Sequence, residues 1–451
     1  MKLFVKDSKF YKTFFSMTGI IALQNLITFA VNLADNVMIG GYSQTALSGV
    51  SIVNQIQFLL QMLMLGTGSA IGVLGAQYWG KKELQPIRKA TSIGVLLGII
   101  ISAVMMLLVF FFPKQALGLL TNEQAVIEEG SKYLVIICFS YVLFAVSNNL
   151  LSALRSVETV KIGFVVNLLA VVVNIFLNYG LIYGKLGMPE MGVEGAAIAT
   201  LTARVTEFAV VVIYVLFIDK KICWRPKNLL HIDGTMFKDY IRVGMPLILA
   251  NGIWGVAMSV QTAILGRLGE DTIAANSIAT TIFQVISVVA YAASNASSVI
   301  IGKTVGEGDI PRVKAYTKTM QILFLAIGVV TGAVLFSCTD LIIGLYDVTP
   351  AAEELSRQFI AVLSITVIGT SYQCSCLTGI VTGGGDTKFV LINDLIHQWL
   401  IVIPAAFLSA FVFHGPLWLT FLCLKADQIL KCFVAIVKGN RYRWIRVLTR
   451  Q

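Results

Sequence analysis

The sequence predicts an all-α polytopic membrane protein, with twelve transmembrane helices in two six-helix bundles related by a parallel repeat. Three observations predict it. The 451 residues are 57% hydrophobic and only 13% charged. The apolar residues gather in twelve long runs, joined by loops whose positive charge alternates from one to the next. The two halves also match each other at a constant offset. A soluble globular chain is nearer half apolar and a quarter charged. Disordered, secreted disulfide-bonded and ordinary soluble classes are therefore excluded.

The runs fall near residues 13–38, 47–75, 90–112, 131–152, 160–183, 193–218, 239–265, 272–301, 315–337, 355–381, 388–412 and 415–437. A membrane helix needs about 20 apolar residues, and these runs are that long. Strands of a membrane barrel would alternate over about ten residues, whereas these runs are continuously apolar, so they are helices. The run that begins at Thr13 is too long for a cleavable signal peptide, and no small-residue cleavage site ends it.

Sidedness follows from the cations. The N-terminal stretch and every second loop carry 26 Lys and Arg residues, from Lys2 through Lys81, Lys82, Arg155, Lys220, Arg312 and Lys388 to Arg450. The opposite loops carry five: Lys114, Lys132, Lys185, Arg267 and Arg357. Both termini are thus expected in the cytoplasm, and the protein in the plasma (inner) membrane. The net charge of +10 is a property of these loops, not of a nucleic-acid surface.

The repeat has an offset of 226 residues. It pairs Gly40 with Gly266, Ser51 with Ser277, Ile52 with Ile278, Gly80 with Gly306, Gly118 with Gly344, Leu119 with Leu345 and Glu128 with Glu354. Six spans per half make the repeat parallel, about an axis along the membrane normal. The expected division is an N-terminal bundle over 1–218, a cytoplasmic linker over 219–237 and a C-terminal bundle over 238–451. Such a duplication is the architecture of alternating-access transporters.

No catalytic constellation is present, so the chain is read as a non-enzyme. There is no P-loop. His231, His397 and His414 form no metal-binding pattern, and Cys374-x-Cys376 lacks partners at zinc spacing; the seven cysteines are read as reduced thiols. No metal or cofactor is expected, and transport energy must come from an ion gradient. Charges inside spans are then the functional candidates.

Asp35, in AVNLADNVMIGG, is the best single candidate. Either it lies close enough to the outer end to reach water, or it binds and releases a proton or Na⁺. Asn174 and Asn178 lie one turn apart on span five, and Thr200 is on span six; with Asp35 they make an oxygen-rich set suited to a proton relay or to Na⁺. A lone acid among amides suits H⁺ better, since Asn178 adds no second negative ligand. Arg204 and Glu207, three apart, read as a self-neutralising pair, as do Asp427 and Lys431. Asp394 and His397 read either as a second titratable site or as a satisfied structural pair. Gln24, Asn148, Asn149, Arg204, Glu207 and Asp394 are the candidates for the substrate path, although buried amides commonly bridge helices.

Several segments resemble the multidrug and toxic compound extrusion (MATE) family. NLADNVMIGGYSQTALSGVS looks like its first-span motif. GAQYWGKKE and its repeat counterpart IGKTVGEGD resemble its helix exits, VTGGGDTKFVL its turn between spans ten and eleven, and GVEGAAIATL the opening of span six. The resemblance covers nearly the whole chain. It implies a V-shaped pair of bundles, acting as a monomer in the bilayer, that exports amphipathic, often cationic, small molecules in exchange for H⁺ or Na⁺. By position Asp35 matches the family's first-span coupling carboxylate, and Asn174 and Thr200 match polar partners found in one branch. The chain departs at Asn178, where that branch often has Asp. It also has Trp254 near the expected span-seven acid, and no acid in ITVIGTSYQCSCLTG. Coupling through the N-terminal bundle alone is implied. A lipid-linked precursor flippase of the same superfamily is the rival reading; it would call for a cationic cavity, and only Arg204, Lys425 and Lys431 lie near the spans.

Overall fold

The computed structural model describes residues 5–230, 233–344 and 348–450; His231, and Leu345 of one repeat pair, lie outside them. Twelve long helices follow one another. They are α1 Ser8–Tyr42, α2 Gln44–Gly80, α3 Leu84–Phe111, α4 (Gln124–Ile137 with Ser140–Ser156), α5 Lys161–Tyr183 and α6 Gly192–Ile218 in the first half. The second half has α7 Gly234–Gly266, α8 Glu270–Gly306, α9 Ile310–Ser337, α10 Pro350–Val381, α11 Thr387–Val412 and α12 Leu417–Arg441. Among the described residues there is no strand.

Ten of these helices are long and apolar enough to cross a bilayer, and α4, bent by 53° at its break, makes eleven when taken whole. The twelfth, α12, has the length, at 25 residues, but carries Lys425, Asp427 and Lys431. Large apolar side chains stand exposed along the helices, among them Phe111, Phe217, Leu400 and Phe433. Water would penalise that surface and lipid does not.

The repeat is visible in the element boundaries. Both α2 and α8, and likewise α3 and α9, begin and end 226 residues apart. A short helix after α3, Pro113–Gly118, has its counterpart in Thr339–Ile343 after α9. In α11, Pro404 removes one backbone donor, and π-helical turns over Ile396–Val402 and Leu408–Val412 flank it. A proline inside a helix breaks the regular ladder, and wider turns absorb the break.

Packing divides the chain into two compact units, one of Leu23–Gly75 and Glu83–Ile248, the other of Met1–Ala22, Ala76–Lys82 and Leu249–Gln451. They are called here the N-terminal and C-terminal units. Each takes most of one expected half, and each also takes ends of helices from the other. The physical reason is length: α1, α2 and α7 have 35, 37 and 33 residues, well beyond the about 20 that a span needs.

The N-terminal unit is cored by Val50, Val53, Met64, Leu134 and Tyr141. In the C-terminal unit Phe359 stacks on Phe421 with ring centroids 4.1 Å apart, beside Leu363 and Ala406. Small residues bring its helices close: a Cβ on Gly332 of α9 would lie 2.4 Å from the Ser364 carbonyl oxygen of α10. Such contacts are the usual glue between membrane helices.

The motif residues of the helix exits meet in this unit. A Cβ on Gly80 would fall 2.0 Å from Lys303 O, and one on Gly306 would fall 1.8 Å from Gln77 O. The two repeat-related glycines thus let the ends of α2 and α8 touch backbone to backbone. Gln77 donates to the carbonyls of Gly383 and Arg446, at 3.3 and 3.2 Å, and accepts from Leu448 N at 2.8 Å. Asp386, buried in the Gly-Gly-Gly-Asp turn, faces Lys438 Nζ at 2.7 Å and Arg446 Nη2 at 3.0 Å. Trp444 is fully buried and lies against Gly384. These motif residues hold the fold together at its basic end.

Candidate functional site

Three helices of the N-terminal unit bring the polar residues together. Asp35 lies on α1, Asn174 and Asn178 one turn apart on α5, and Thr200, Arg204 and Glu207 on successive turns of α6. Most of α5 is apolar, so Asn167, Asn174 and Asn178 stand out as polar points along it. Asn174 and Asn178 are almost wholly buried, and buried amides must find partners.

They find them in a chain. Asn178 Nδ2 donates to Asp35 Oδ1 and also to Asn174 Oδ1, the latter at 3.2 Å. Asn174 Nδ2 donates to Thr200 Oγ1 at 3.2 Å. The structure thus gathers all four residues expected to bind the ion into one connected set. The chain leaves Asn178 Oδ1 buried without a hydrogen-bond partner.

Asp35, Asn174 and Thr200 line a cavity of about 70 Å³ together with Arg204 and Glu207. That is room for roughly five waters, not for a drug-sized molecule. Arg204 Nη1 lies 2.7 Å from Glu207 Oε2, and the guanidinium sits 5.0 Å over the Phe144 ring. The pair neutralises itself, as expected from its spacing. Asp35 is then the carboxylate left over, and the cavity lining carries one more negative than positive charge. A charge in such surroundings is a candidate functional group.

The cavity also has residues that the sequence reading missed. Asn32 on α1, Asn54, Gln57 and Gln61 on α2, Tyr133 on α4 and Asn167 on α5 line it. The signal was present. Positions 54, 57 and 61 recur at helical spacing and put a polar stripe on one face of α2.

Other candidates lie elsewhere. Asn148 Nδ2 donates to Met64 O at 3.0 Å, and Asn149 donates to Ala145 O at 2.9 Å while accepting from Thr67 Oγ1 at 3.0 Å. These amides tie α4 to α2 and do not line the cavity. Gln24 donates to Val160 O at 3.4 Å and is also outside it. Asp394 does not pair with His397. Its partner is Lys431 on α12, at 2.9 Å, while His397 Nδ1 lies 2.8 Å from Asn393 O. The π-helical turns that begin at Ile396 alter the spacing on which the shared face of Asp394 and His397 was based. Among the described residues no group of three or more His, Cys, Asp or Glu is placed to hold a metal ion.

Twelve helices in two repeated sets of six, exposed apolar side chains and a polar cavity holding one uncompensated carboxylate define a polytopic membrane transporter. The sequence matches the MatE family over residues 21–180 and 246–408, and the chain belongs to that family. It is 26% identical over 438 residues to a probable multidrug resistance protein NorM of Thermotoga maritima, covering 95% of this chain and 92% of the relative. A protein of the same description from Listeria monocytogenes is 27% identical over 410 residues, covering 90% and 89%. Among solved structures, a mutant of the Vibrio cholerae MATE transporter VcmN superimposes with a TM-score of 0.89 at 16% identity, covering 98% of this chain and 99% of that one. A transporter of the MOP superfamily from Pyrococcus furiosus gives 0.87 at 17% identity, covering 97% of each. At those identities the likeness is one of fold.

Proposed function

We propose that this protein is a secondary active antiporter that exports amphipathic, often cationic, small molecules in exchange for protons, by alternating access, with Asp35 as the coupling carboxylate. The observation that carries the reading is the position of Asp35. It is the one carboxylate of its cavity that faces an amide donor instead of a cation, since Arg204 is engaged by Glu207. A proton on Asp35 cancels the excess negative charge, and so does an organic cation nearby. The two compete for one charge, so binding of either releases the other. Mutual exclusion of this kind is a coupling free energy between ligands.

The bond pattern favours H⁺ over Na⁺. Sodium would need several oxygens turned toward one point, whereas Asn178 and Asn174 turn N–H groups along the chain toward Asp35 and Thr200. The relatives described as multidrug resistance proteins support a drug-like substrate. The charge split of the loops supports an orientation with both termini in the cytoplasm.

The test is export of a cationic dye such as ethidium from cells producing the protein. Export is expected to collapse with a protonophore and to survive removal of Na⁺. Export that stops without Na⁺ would replace the proton by sodium. Purified protein that binds anionic pyrophosphoryl lipids far more tightly than cationic dyes would favour a flippase instead.

A further inference from the structure

The basic end of the C-terminal unit sorts its cations into two kinds. Lys438 and Arg446 are engaged by Asp386, and Arg312 faces Glu307 at 3.5 Å and Asp7 at 3.8 Å. Lys314 of α9, and Arg441 and Arg443 at the end of α12, have no ion pair among the described residues. Lys314 Nζ instead sits 5.3 Å over the ring of Tyr442, the residue between the two arginines. Cations far apart in sequence are thus brought to one turn of the chain.

Packing fixes that turn. Tyr442 ends α12 in the left-handed conformation, at φ 55°. Trp444 is then fully buried and its indole N–H donates to Gly439 O at 3.0 Å, while Arg446 N donates to Gly384 O at 2.8 Å. Arg441 and Arg443 are left exposed. Cations displayed on a fixed backbone bind with less loss of freedom. The repeat offers a contrast. Arg88 stands 226 residues before Lys314, and its Nε donates to Ile222 O at 2.6 Å. In the N-terminal unit that position binds the chain itself, and in the C-terminal unit it does not.

Two apolar stripes run from the turn along the spans. Leu325 and Val329 of α9 are each 49% exposed and lie on one helical face with Lys314. Phe433 and Val437 of α12, 65% and 50% exposed, lie eight and four residues before Arg441 and share its face. Asn440 Nδ2 donates to Gln321 Oε1 at 3.4 Å and ties α12 to α9 beside the cations. Each stripe of lipid-facing side chains therefore ends in positive charge.

We propose that this corner binds one anionic phospholipid, from the leaflet at the basic end of the protein. Its phosphate lies among Lys314, Arg441 and Arg443, and its acyl chains lie along the stripes of α9 and α12. A free phosphate would use the cations alone, whereas a lipid uses the cations and the stripes together. Guanidinium groups meet phosphate oxygens in pairs. Basic side chains just outside a span attract anionic headgroups, and their stems lie along apolar surface. The site is separate from Asp35 and does not depend on the antiport reading.

The experiment titrates the purified full chain, in neutral detergent, with phosphatidylglycerol or phosphatidylcholine and counts bound lipid by native mass spectrometry. The first phosphatidylglycerol should bind about tenfold or more tighter than phosphatidylcholine. Arg441→Gln with Arg443→Gln should weaken it by about fivefold for each charge removed. Lys220→Gln with Lys227→Gln removes as much charge from exposed residues outside the corner and should leave the affinity unchanged. Equal losses in the two double variants would overturn the site and leave a diffuse basic surface, and equal affinity for the two lipids would overturn it as well. Displacement of the lipid by an equal concentration of inorganic phosphate would overturn the lipid as occupant. If the double arginine variant does not fold, Lys314→Gln serves: a loss of about fivefold is expected, and an unchanged affinity would overturn the proposal.

Discussion

Asn178 donates its amide hydrogens both to Asp35, across the contact of α5 with α1, and to Asn174 one turn back on its own helix. Its own oxygen is buried and unpartnered. Asn178→Asp would put a second negative oxygen where a neutral one now stands and would remove the donor to Asp35. Two adjoining carboxylates repel unless something positive lies between them. Dye efflux from vesicles at fixed pH should therefore become several-fold more responsive to added Na⁺ than in the parent. An unchanged Na⁺ response would mean that Asn178 does not set the choice of ion.

The close approach of α2 and α8 makes a stability prediction. A Cβ on Gly306 would sit 1.8 Å from the Gln77 carbonyl oxygen, and backbone lies on both sides of the contact. Overpacking of this kind costs about 1–3 kcal/mol, so Gly306→Ala should lower the thermal unfolding midpoint in detergent. Gly72 on α2 has no atom within 4 Å of its added Cβ, and Gly72→Ala should be neutral or stabilising by about 0.5–1 kcal/mol. Equal effects from the two substitutions would contradict the packing described for Gly306.

Acid stability should depend on the start of α7. Lys89 Nζ lies 2.8 Å from Asp233 Oδ2, and Thr235 N donates to Asp233 Oδ1 at 2.9 Å. The Lys89 ammonium first, and the backbone donors after it, hold the Asp233 carboxyl below the usual carboxylate range. The folded value lies under the unfolded one, so protons bind the unfolded chain more readily. The stabilisation is whole above the unfolded value of about 4 and is lost as pH falls through the folded one. Lys89→Met should flatten this acid limb in a pH series of unfolding midpoints. A limb of unchanged slope would assign the acid sensitivity to other groups.

Much of this fold is legible in the sequence because lipid imposes simple rules. Continuous apolar runs mark the helices, and the repeat pairs such as Gly80 and Gly306 fall at the same place in corresponding helices. Asp35, Asn174, Asn178 and Thr200 are legible as polar points on apolar helices, and the structure joins them. The bend of α4 at Cys138 and Phe139 carries no proline or glycine to announce it. The partner of Asp394 is hidden for another reason. His397 is near it in sequence, while Lys431 lies on a different helix and is reached only by tertiary packing. Asn148 and Asn149 look like cavity residues in sequence, but helix–helix hydrogen bonds use amides of the same kind. The stripe of Asn54, Gln57 and Gln61 was readable by the same periodicity that marks a core face.

The most direct measurement is proton-driven efflux of a cationic dye from vesicles containing the purified protein, with Asp35→Asn beside the parent. Asparagine keeps the size of the side chain and carries no charge, so the variant should fold and insert as the parent does. The parent is expected to move dye when a pH gradient is imposed and to stop when the gradient is collapsed. Asp35→Asn is expected to show no gradient-driven efflux at an unchanged unfolding midpoint. Full gradient-driven efflux by Asp35→Asn would remove Asp35 from the mechanism.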